Sequence, residues 1–324
     1  MILAADIGGT KTHLGLFTDE GEGPVRVSTY RNAEHEHPTD LVREFLAEGD
    51  ADVHYACLAV AAPVAAGAVS GVNLPWPVYA HEIVELLHVP GVRIVNDPEA
   101  NAHGIAALGP DDFVVLNEGD PEATGNAAVI SAGTGLGEAG LYWDGVRHHP
   151  FASEGGHADF APRSELEAAL SAHIQELYGH ASYERVCSGM GLANIYSFLG
   201  GPDEDPRVIS RAALDGTDER ASWALDLMVS IYGAEAGNLA LKVMATGGVY
   251  LGGGIAPKIV PKLVDGTFMS AFVDKGRFRA RLKRIPVRVI LNDKAALLGA
   301  ARCALAARAG SDAAAARPTL VRSE

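Results

Sequence analysis

The chain has 324 residues, which is too long for one average domain and suits two. Hydrophobic residues make up 48% and charged residues 21%, ordinary values for a globular protein that exclude bulk disorder, a collagen-like repeat and a coiled coil. The formal net charge of −15 predicts no nucleic-acid partner, because a negative field repels phosphates. The basic stretch from Arg277 to Arg288 is therefore interpreted as exposed surface.

Cysteine usage and the start of the chain predict a cytoplasmic protein. Cys57, Cys187 and Cys303 are isolated and form no cluster of the kind that binds zinc. Few cysteines suit a reducing compartment. The N-terminal residues show no signal peptide, and the most apolar stretch, residues 56–72, is alanine-rich and broken by proline and glycine. We therefore expect no membrane partner, and a strand, a turn and another strand in that stretch.

The first hundred residues predict an α/β unit with a mixed sheet. The expected strands cover residues 2–5, 13–17, 25–30, 55–61 and 92–95, and the expected helices cover residues 40–47, 81–88 and 98–108. The first three strands are joined by glycine-rich turns, which favours an antiparallel meander. Thr39 is the expected N-cap of the first helix.

The pattern then begins again, which indicates a second, related domain. Strands are expected at residues 127–131, 138–143, 146–149, 249–251 and 287–291, with a helix opened by Ser164 and further helices between residues 205 and 245. A long helix is predicted from Asp293 to Ala307, followed by a tail that frays from Gly310. Its apolar residues need a partner. We therefore expect a small domain of residues 1–106 plus about 293–324 and a large domain of residues 107–292.

Three glycine-rich segments follow predicted strands and could bind a nucleotide. They are Asp6-Ile7-Gly8-Gly9-Thr10-Lys11, Ala132-Gly133-Thr134-Gly135-Leu136-Gly137, and Gly252-Gly253-Gly254. Glycine lets backbone N–H groups approach phosphate oxygens, Thr10 adds a hydroxyl donor, and Asp6 can hold Mg²⁺ directly or through water. The third segment would let backbone lie against a flat ring such as adenine. Ordinary tight turns are the alternative in each case.

Asn96 and Asp97 stand at the end of a predicted strand, just before a helix. Ligands of α/β sheets bind at the carboxyl ends of strands, where a carboxylate can take a proton from an attacking hydroxyl. Asn and Asp are also favoured helix N-caps, so position alone leaves both roles open.

Polar side chains near later glycines could bind a polyol. Glu154 and His157 flank two glycines, and Glu184 follows further along the chain. Carboxylates and an imidazole can satisfy several hydroxyls, each of which needs a partner when buried. For Glu184 the alternative is a solvent-exposed helix position.

Together these motifs resemble bacterial glucokinases of the non-zinc type, in the sugar-kinase branch of the actin–hexokinase–Hsp70 superfamily. The resemblance covers about residues 2 to 303. Its most specific parts are Glu154-Gly155-Gly156-His157 followed by Asp159-Phe160-Ala161-Pro162, and Glu184-Arg185-Val186 with Ser188-Gly189. Lys11 and Pro98-Glu99 depart from the residues of many members. The zinc-binding cysteines and helix-turn-helix of the related repressor-kinase family are absent, which argues against a sugar-sensing repressor.

The resemblance implies two ribonuclease-H-like (actin-like ATPase) domains with mixed sheets facing a central cleft. It makes Asp6 to Lys11 and Gly133 to Gly137 phosphate loops, and Leu251 to Ile255 the adenosine segment. Asn96, Asp97, Glu154, His157 and Glu184 match glucose-contacting positions, with Asp97 as the catalytic base. Thr134 is assigned to both the sugar and the nucleotide.

The implied activity is ATP-dependent phosphorylation of glucose at the 6-hydroxyl, the first step of glycolysis, with Mg²⁺ near Asp6. A homodimer is also expected. Two alternatives stay open at this point. One is a kinase of another hexose, such as mannose or an N-acetylhexosamine. The other is a non-enzymatic nucleotide-binding or sensor protein, against which Asp97 and the Glu/His set argue.

Overall fold

The computed structural model describes residues 1–19, 23–62, 64, 68–69 and 74–315. The chain divides into two compact units. Residues 1–108 and the chain from residue 294 onward form the first unit, and residues 109–293 form the second.

The first unit is built on a five-stranded mixed sheet. Its elements up to residue 104 are β1 (Ile2–Ile7), β2 (Lys11–Phe17), β3 (Pro24–Arg31), α1 (Pro38–Ala47), β4 (Tyr55–Val60), β5 (Ala68–Val69), β6 (Val78–Tyr79), α2 (Ala80–Leu87), β7 (Val92–Asn96) and α3 (Asp97–Gly104). The strand order is β3-β2-β1-β4-β7, in which β1, β2 and β3 are antiparallel neighbours and β1, β4 and β7 run parallel. Strands β5 and β6 form a separate pair.

The second unit repeats this arrangement and adds one edge strand. Its elements are β8 (Phe113–Asn117), β9 (Ala127–Ala132), β10 (Leu136–Trp143), β11 (His148–Ser153), α4 (Glu165–Tyr178), α5 (Gly189–Phe198), α6 (Pro206–Asp215), α7 (Glu219–Lys242), β12 (Gly248–Gly252), α8 (Val260–Leu263), α9 (Thr267–Phe272), α10 (Arg279–Leu282) and β13 (Val287–Ile290). The strand order is β11-β10-β9-β12-β13-β8, with an antiparallel meander followed by parallel strands. Both sheets therefore share one topology, which confirms the predicted ribonuclease-H-like (actin-like) fold of the two domains.

The last helix, α11 (Ala295–Ala315), belongs to the first unit. Its buried residues Leu297 and Ala300 pack in one cluster with Ile2 of β1 and Cys57 of β4. Burying a leucine side chain stabilises a fold by about 1.5–3 kcal/mol, so this face anchors the helix to the sheet. The other face of the sheet is covered by a cluster that includes Phe45 of α1.

Several boundaries differ from the sequence-based expectation. The prediction of Thr39 as a cap is wrong, because α1 already begins at Pro38, whose fixed φ and missing N–H suit a first helical turn. The edge strand β8 was not predicted. Helix α11 reaches Ala315, beyond the expected end at Ala307. The tail from residue 316, and residues 63, 65–67 and 70–72 of the apolar stretch, lie outside the described residues.

Candidate active site

In the first unit, the turn between β1 and β2 is stabilised by a backbone hydrogen bond of its own and by the hydrogen bonds of one buried side chain. The N–H of Gly8 donates to the carbonyl of Lys11 at 3.1 Å. Asn32, which is 1% exposed, donates through Nδ2 to the carbonyl of Gly8 at 2.7 Å, and its Oδ1 accepts from Thr12 Oγ1 at 2.8 Å. Gly9 and Thr10 stay exposed at the tip. The turn is therefore rigid at its base and presents backbone at its tip.

Asp97 lies at the same edge of the sheet as this turn. Ile7 pairs with Val60, and Val60 pairs with Asn96, so the three parallel strands end side by side. Asn96 is the N-cap of α3, and its Oδ1 accepts the N–H of Glu99 at 3.0 Å. The capping role left open for this pair is thus filled by Asn96, and Asp97 begins the helix itself.

The electrostatics of Asp97 suit a group that takes up a proton. Burial raises the pKa of its carboxyl above the usual range, because the charged form loses solvation, while a hydrogen bond from Asn101 opposes the shift. Asn101 donates through Nδ2 to Asp97 Oδ1 at 2.9 Å and to the Asp97 carbonyl at 3.0 Å. A raised pKa makes the carboxylate a stronger base.

In the second unit, the turn between β9 and β10 contains the second glycine segment. The N–H of Gly133 donates to the carbonyl of Gly135 at 2.8 Å, and Thr134 is exposed between them. The carbonyl of Gly133 accepts the N–H of Gly189 at 2.8 Å, which ties the turn to the first residue of α5. The predicted phosphate loop is thus a tight turn with one exposed hydroxyl at its tip.

Glu184 lies against this turn and not on a solvent-exposed helix face. It sits in the segment before α5, with 19% of its side chain exposed. Its Oε2 accepts the N–H of Leu136 at 3.1 Å, and a Cβ on Gly135 would overlap that oxygen. Its own N–H donates to the carbonyl of Gly156 at 2.8 Å. Glu184 therefore joins the glycine turn to the Glu154–His157 segment.

The three polar residues predicted to bind a polyol come together here. His157 lies between two carboxylates, with Nδ1 at 3.9 Å from Glu184 Oε1 and Nε2 at 3.8 Å from Glu154 Oε2. The side chains of His157 and Glu154 are more than half exposed. The group offers several acceptors and an imidazole that can donate or accept, which is what a ligand with several hydroxyls requires.

The segment Gly252–Gly254 lies on the other side of the same turn. The N–H of Ile255 donates to the carbonyl of Ala132 at 3.0 Å. Gly253 has a φ of +79°, and a Cβ there would overlap the backbone of Ala132. Gly254 has no heavy atom of the described residues within 4 Å of an added Cβ. The structure thus places a glycine-lined surface next to the second predicted phosphate loop.

Comparison with known proteins gives this arrangement a family. The glucokinase family model matches residues 3–307. The glucokinase of Synechocystis sp. is 39% identical over 344 aligned residues, which cover 93% of this chain and 97% of that protein. The chain belongs to the glucokinase family. As a member it is a glucokinase-type transferase that phosphorylates glucose with ATP, and the alternative of a non-enzymatic protein has no support.

Solved structures of glucokinases share the fold. The crystal structure of a glucokinase from an Antarctic psychrotroph is 30% identical, with a TM-score of 0.81, and the match covers 94% of this chain and 98% of that one. A ROK family glucokinase from Streptomyces griseus, solved with glucose and AMPPNP, is 21% identical with a TM-score of 0.63, covering 94% and 98% of the two chains. The latter shows likeness of fold alone.

One carboxylate of the first unit, that of Asp6, is of the type that Mg²⁺ binds. Asp6 is partly exposed near the end of β1, just before the Gly8–Lys11 turn. Mg²⁺ keeps several waters and binds one or two carboxylates plus substrate phosphates, so it needs no cage of protein ligands. Within the described residues, no three His, Cys, Asp or Glu side chains gather as a metal site. A single carboxylate beside an exposed turn that could bind phosphate is consistent with this way of binding Mg²⁺.

Some residues that shape this glucokinase site were not found from the sequence. Asn32 carries no motif that would link it to a turn far back in the chain. Asn101 could have been found, since it stands four positions after Asp97 on one helix face. Ser188 stands in a segment that carries the family resemblance, but its role was not predicted: it is fully buried, and its Oγ donates to the Glu184 carbonyl at 2.7 Å and accepts the Gly191 N–H at 3.0 Å. It thereby fixes the segment that carries Glu184.

In the described part of the chain, no helix is long and apolar enough to cross a membrane.

Proposed function

We propose that Asp97 is the base of the glucokinase reaction and that Glu154, His157 and Glu184, with Asn96 and Thr134, bind the sugar. The observation that supports this assignment is the hydrogen bond between Glu184 and the N–H of Leu136, because it joins the proposed sugar-binding group to the turn that is proposed to bind phosphate. A kinase of a sugar needs the acceptor hydroxyl next to the transferred phosphoryl group.

The sugar is held by groups that match its hydroxyls. Glu184 and Glu154 accept hydrogen bonds, and His157 accepts through one ring nitrogen and donates through the other. Asp97 takes the proton of the 6-hydroxyl as that oxygen attacks the γ-phosphorus of ATP. Asn101 orients the carboxylate of Asp97 by its bond to Oδ1. The leaving group is ADP, and the product is glucose 6-phosphate.

The phosphates are held by backbone and hydroxyl donors. The segments Asp6–Lys11 and Gly133–Gly137 donate N–H groups to phosphate oxygens, and Gly252–Gly254 lies against the adenosine. Asp6 would hold Mg²⁺, which when bound would supply positive charge that offsets the charge developing on the phosphoryl oxygens. Preorganised donors of this kind account for most of the rate enhancement in phosphoryl transfer.

The chain is also proposed to be cytoplasmic and homodimeric. All three cysteines are free and buried, which suits a reducing compartment. Light scattering coupled to gel filtration measures the dimer directly, and a monomer mass at micromolar concentration contradicts it.

A coupled assay with ATP and Mg²⁺ across a panel of hexoses tests the function. Glucose is expected to give the highest kcat/KM, and a preference for mannose or an N-acetylhexosamine would contradict the substrate assignment. Asp97→Asn keeps the shape and the contact with Asn101 but removes the base. Its kcat should fall by about 10²–10⁴-fold, with a smaller change in sugar affinity. Glu99→Gln, two residues along α3, is the matched control and should keep its kcat.

A further inference from the structure

A buried carboxyl lies beneath the sugar-binding segment and takes no part in the chemistry described above. Glu138 follows the Gly133–Gly137 turn, is 1% exposed, and pairs with Ser153 in the β10–β11 register. A Cβ on Gly155 would overlap its Oε2 oxygen. The carboxyl of Glu138 therefore packs directly against the backbone between Glu154 and His157.

A second buried carboxyl faces the first one. Glu235 of α7 is fully buried. Its Oε1 accepts from Lys242 Nζ at 2.9 Å, and its Oε2 accepts from Asn238 Nδ2 at 2.8 Å. Glu138 lies within hydrogen-bonding reach of Glu235, and among the described residues its Oε1 has no donor. Two neighbouring buried carboxyls repel each other strongly when both are charged, and one proton shared between them would remove that repulsion.

The same cluster also reaches the segment that carries Glu184. Asn238 Nδ2 donates to the hydroxyl of Tyr183 at 2.9 Å, and Tyr183 directly precedes Glu184. Lys275 Nζ donates to Asn238 Oδ1 at 2.6 Å. The glycine turn, the Gly155 backbone and the Glu184 segment thus all contact one polar network, whose carboxyls Glu138 and Glu235 are buried.

We propose that Glu138 is a positioning residue for the sugar: it shares one proton with Glu235, and this proton holds Gly155 and Glu184 in the arrangement that binds glucose. The inference rests on the proposed sugar site and deepens it. Without the proton, the negative charges of Glu138 and Glu235 meet beneath Gly155. The segment that contains Gly155 must then move for the two charges to separate.

The proton should leave Glu138 in a measurable pH range. Burial and the charge of Glu235 raise the pKa of Glu138 to about 8, while Lys242 opposes the shift. Tyr232 of the same helix and Cys187 before α5 also face Glu138, and burial raises the pKa of both well above the ordinary value, so both stay uncharged in this pH range. Glucose affinity should therefore be full near pH 7 and fall as the pH rises past 8.

Calorimetry of glucose binding without nucleotide tests the proposal. If only the protonated form binds, the apparent Kd of the unmodified protein rises about tenfold between about pH 7 and about pH 9. Glu138→Gln should stay within about twofold, because its amide donates to Glu235 and does not titrate. Glu167→Gln is the matched control: Glu167 is 3% exposed and paired with Arg163 at 2.6 Å, so this variant should follow the unmodified protein.

A second measurement needs no variant. At a pH slightly above 8, the heat of glucose binding in buffers of different ionisation enthalpy should show net proton uptake. A flat Kd across the pH range, an absence of proton uptake, or an unchanged pH dependence in a folded Glu138→Gln protein would overturn the proposal. Absence of glucose binding at every pH would instead contradict the proposed sugar site.

Discussion

The Oε2 oxygen of Glu184 accepts a hydrogen bond from the backbone N–H of Leu136 at 3.1 Å. Leu136 belongs to the turn that is proposed to hold phosphate, and Glu184 to the group that is proposed to hold the sugar. The two functions therefore share one rigid contact. A substitution at either residue is therefore expected to affect the binding of both sugar and nucleotide, and this can be tested.

Glu184→Gln should raise the KM for glucose by roughly ten- to a hundredfold. The amide oxygen can still accept the Leu136 N–H, but the charge that strengthens the sugar hydrogen bond is lost, and a bond to a charged group contributes about 1.5–3 kcal/mol. Steady-state kinetics with glucose, mannose and galactose measure the effect. Glu176→Gln, on an exposed position of α4, is the control and should change no constant. Unchanged kcat/KM for glucose, mannose and galactose in Glu184→Gln would contradict a place for Glu184 in the sugar site.

Two glycines of one turn should respond differently to alanine. At Gly135 an added Cβ overlaps Glu184 Oε2, so Gly135→Ala should raise the KM for glucose as well as that for ATP. At Gly133 the nearest non-neighbouring atom to an added Cβ is the Gly254 nitrogen at 4.0 Å, so a methyl group fits within the chain. Gly133→Ala should therefore raise the KM for ATP alone, because the methyl group blocks phosphate. Unchanged ATP affinity in both folded variants would show that this turn binds no phosphate.

The fold was predictable from the sequence because its signals are local. A short apolar run followed by Gly8-Gly9-Thr10, and a second followed by Gly133-Thr134-Gly135, mark the two strand–turn–strand repeats. The strand order that the two sheets share reflects this repeat. The start of α1 was missed because proline at the first helical position outweighed the threonine that follows it.

The sequence predicts the residue types of the candidate site but not the contacts that support them. Glu184 is predicted from the sequence as a sugar ligand, yet its contact with Leu136 depends on a fold that brings distant segments together. Asn32 and Glu138 carry no motif at all. Their roles come from burial, since a buried amide or carboxyl must find partners wherever the chain provides them. Such partners are visible only in three dimensions.

The crossing of α3 and α11 depends on two glycines. A Cβ on Gly299 would overlap the carbonyl of Ala100, and one on Gly104 would overlap the carbonyl of Ala295. Gly299→Ala should therefore lower the free energy of unfolding by about 1–3 kcal/mol, the usual cost of overpacking. Gly91→Ala is the control: no described atom lies within 4 Å of its Cβ, so its effect should stay within about 0.5 kcal/mol. Chemical denaturation measures the free energy of unfolding of both variants. A Gly299→Ala protein as stable as the unmodified protein would contradict the close crossing.

The pH dependence of turnover should report on Asp97 and its partner Asn101. Burial raises the pKa of Asp97, and the hydrogen bond from Asn101 to Oδ1 lowers it, so loss of that bond leaves burial unopposed. A base must be ionised to act, and activity is lost as the pH falls through its pKa. Asn101→Ala should therefore move the acid limb of kcat/KM to higher pH and leave the rate on the alkaline side of that limb closer to normal. Because Asn101 is 6% exposed, the melting temperature is measured in parallel to confirm that the variant is folded. A purely structural role for Asn101 would lower the rate equally at every pH, and an acid limb at its original position would show that Asp97 is not the group that titrates.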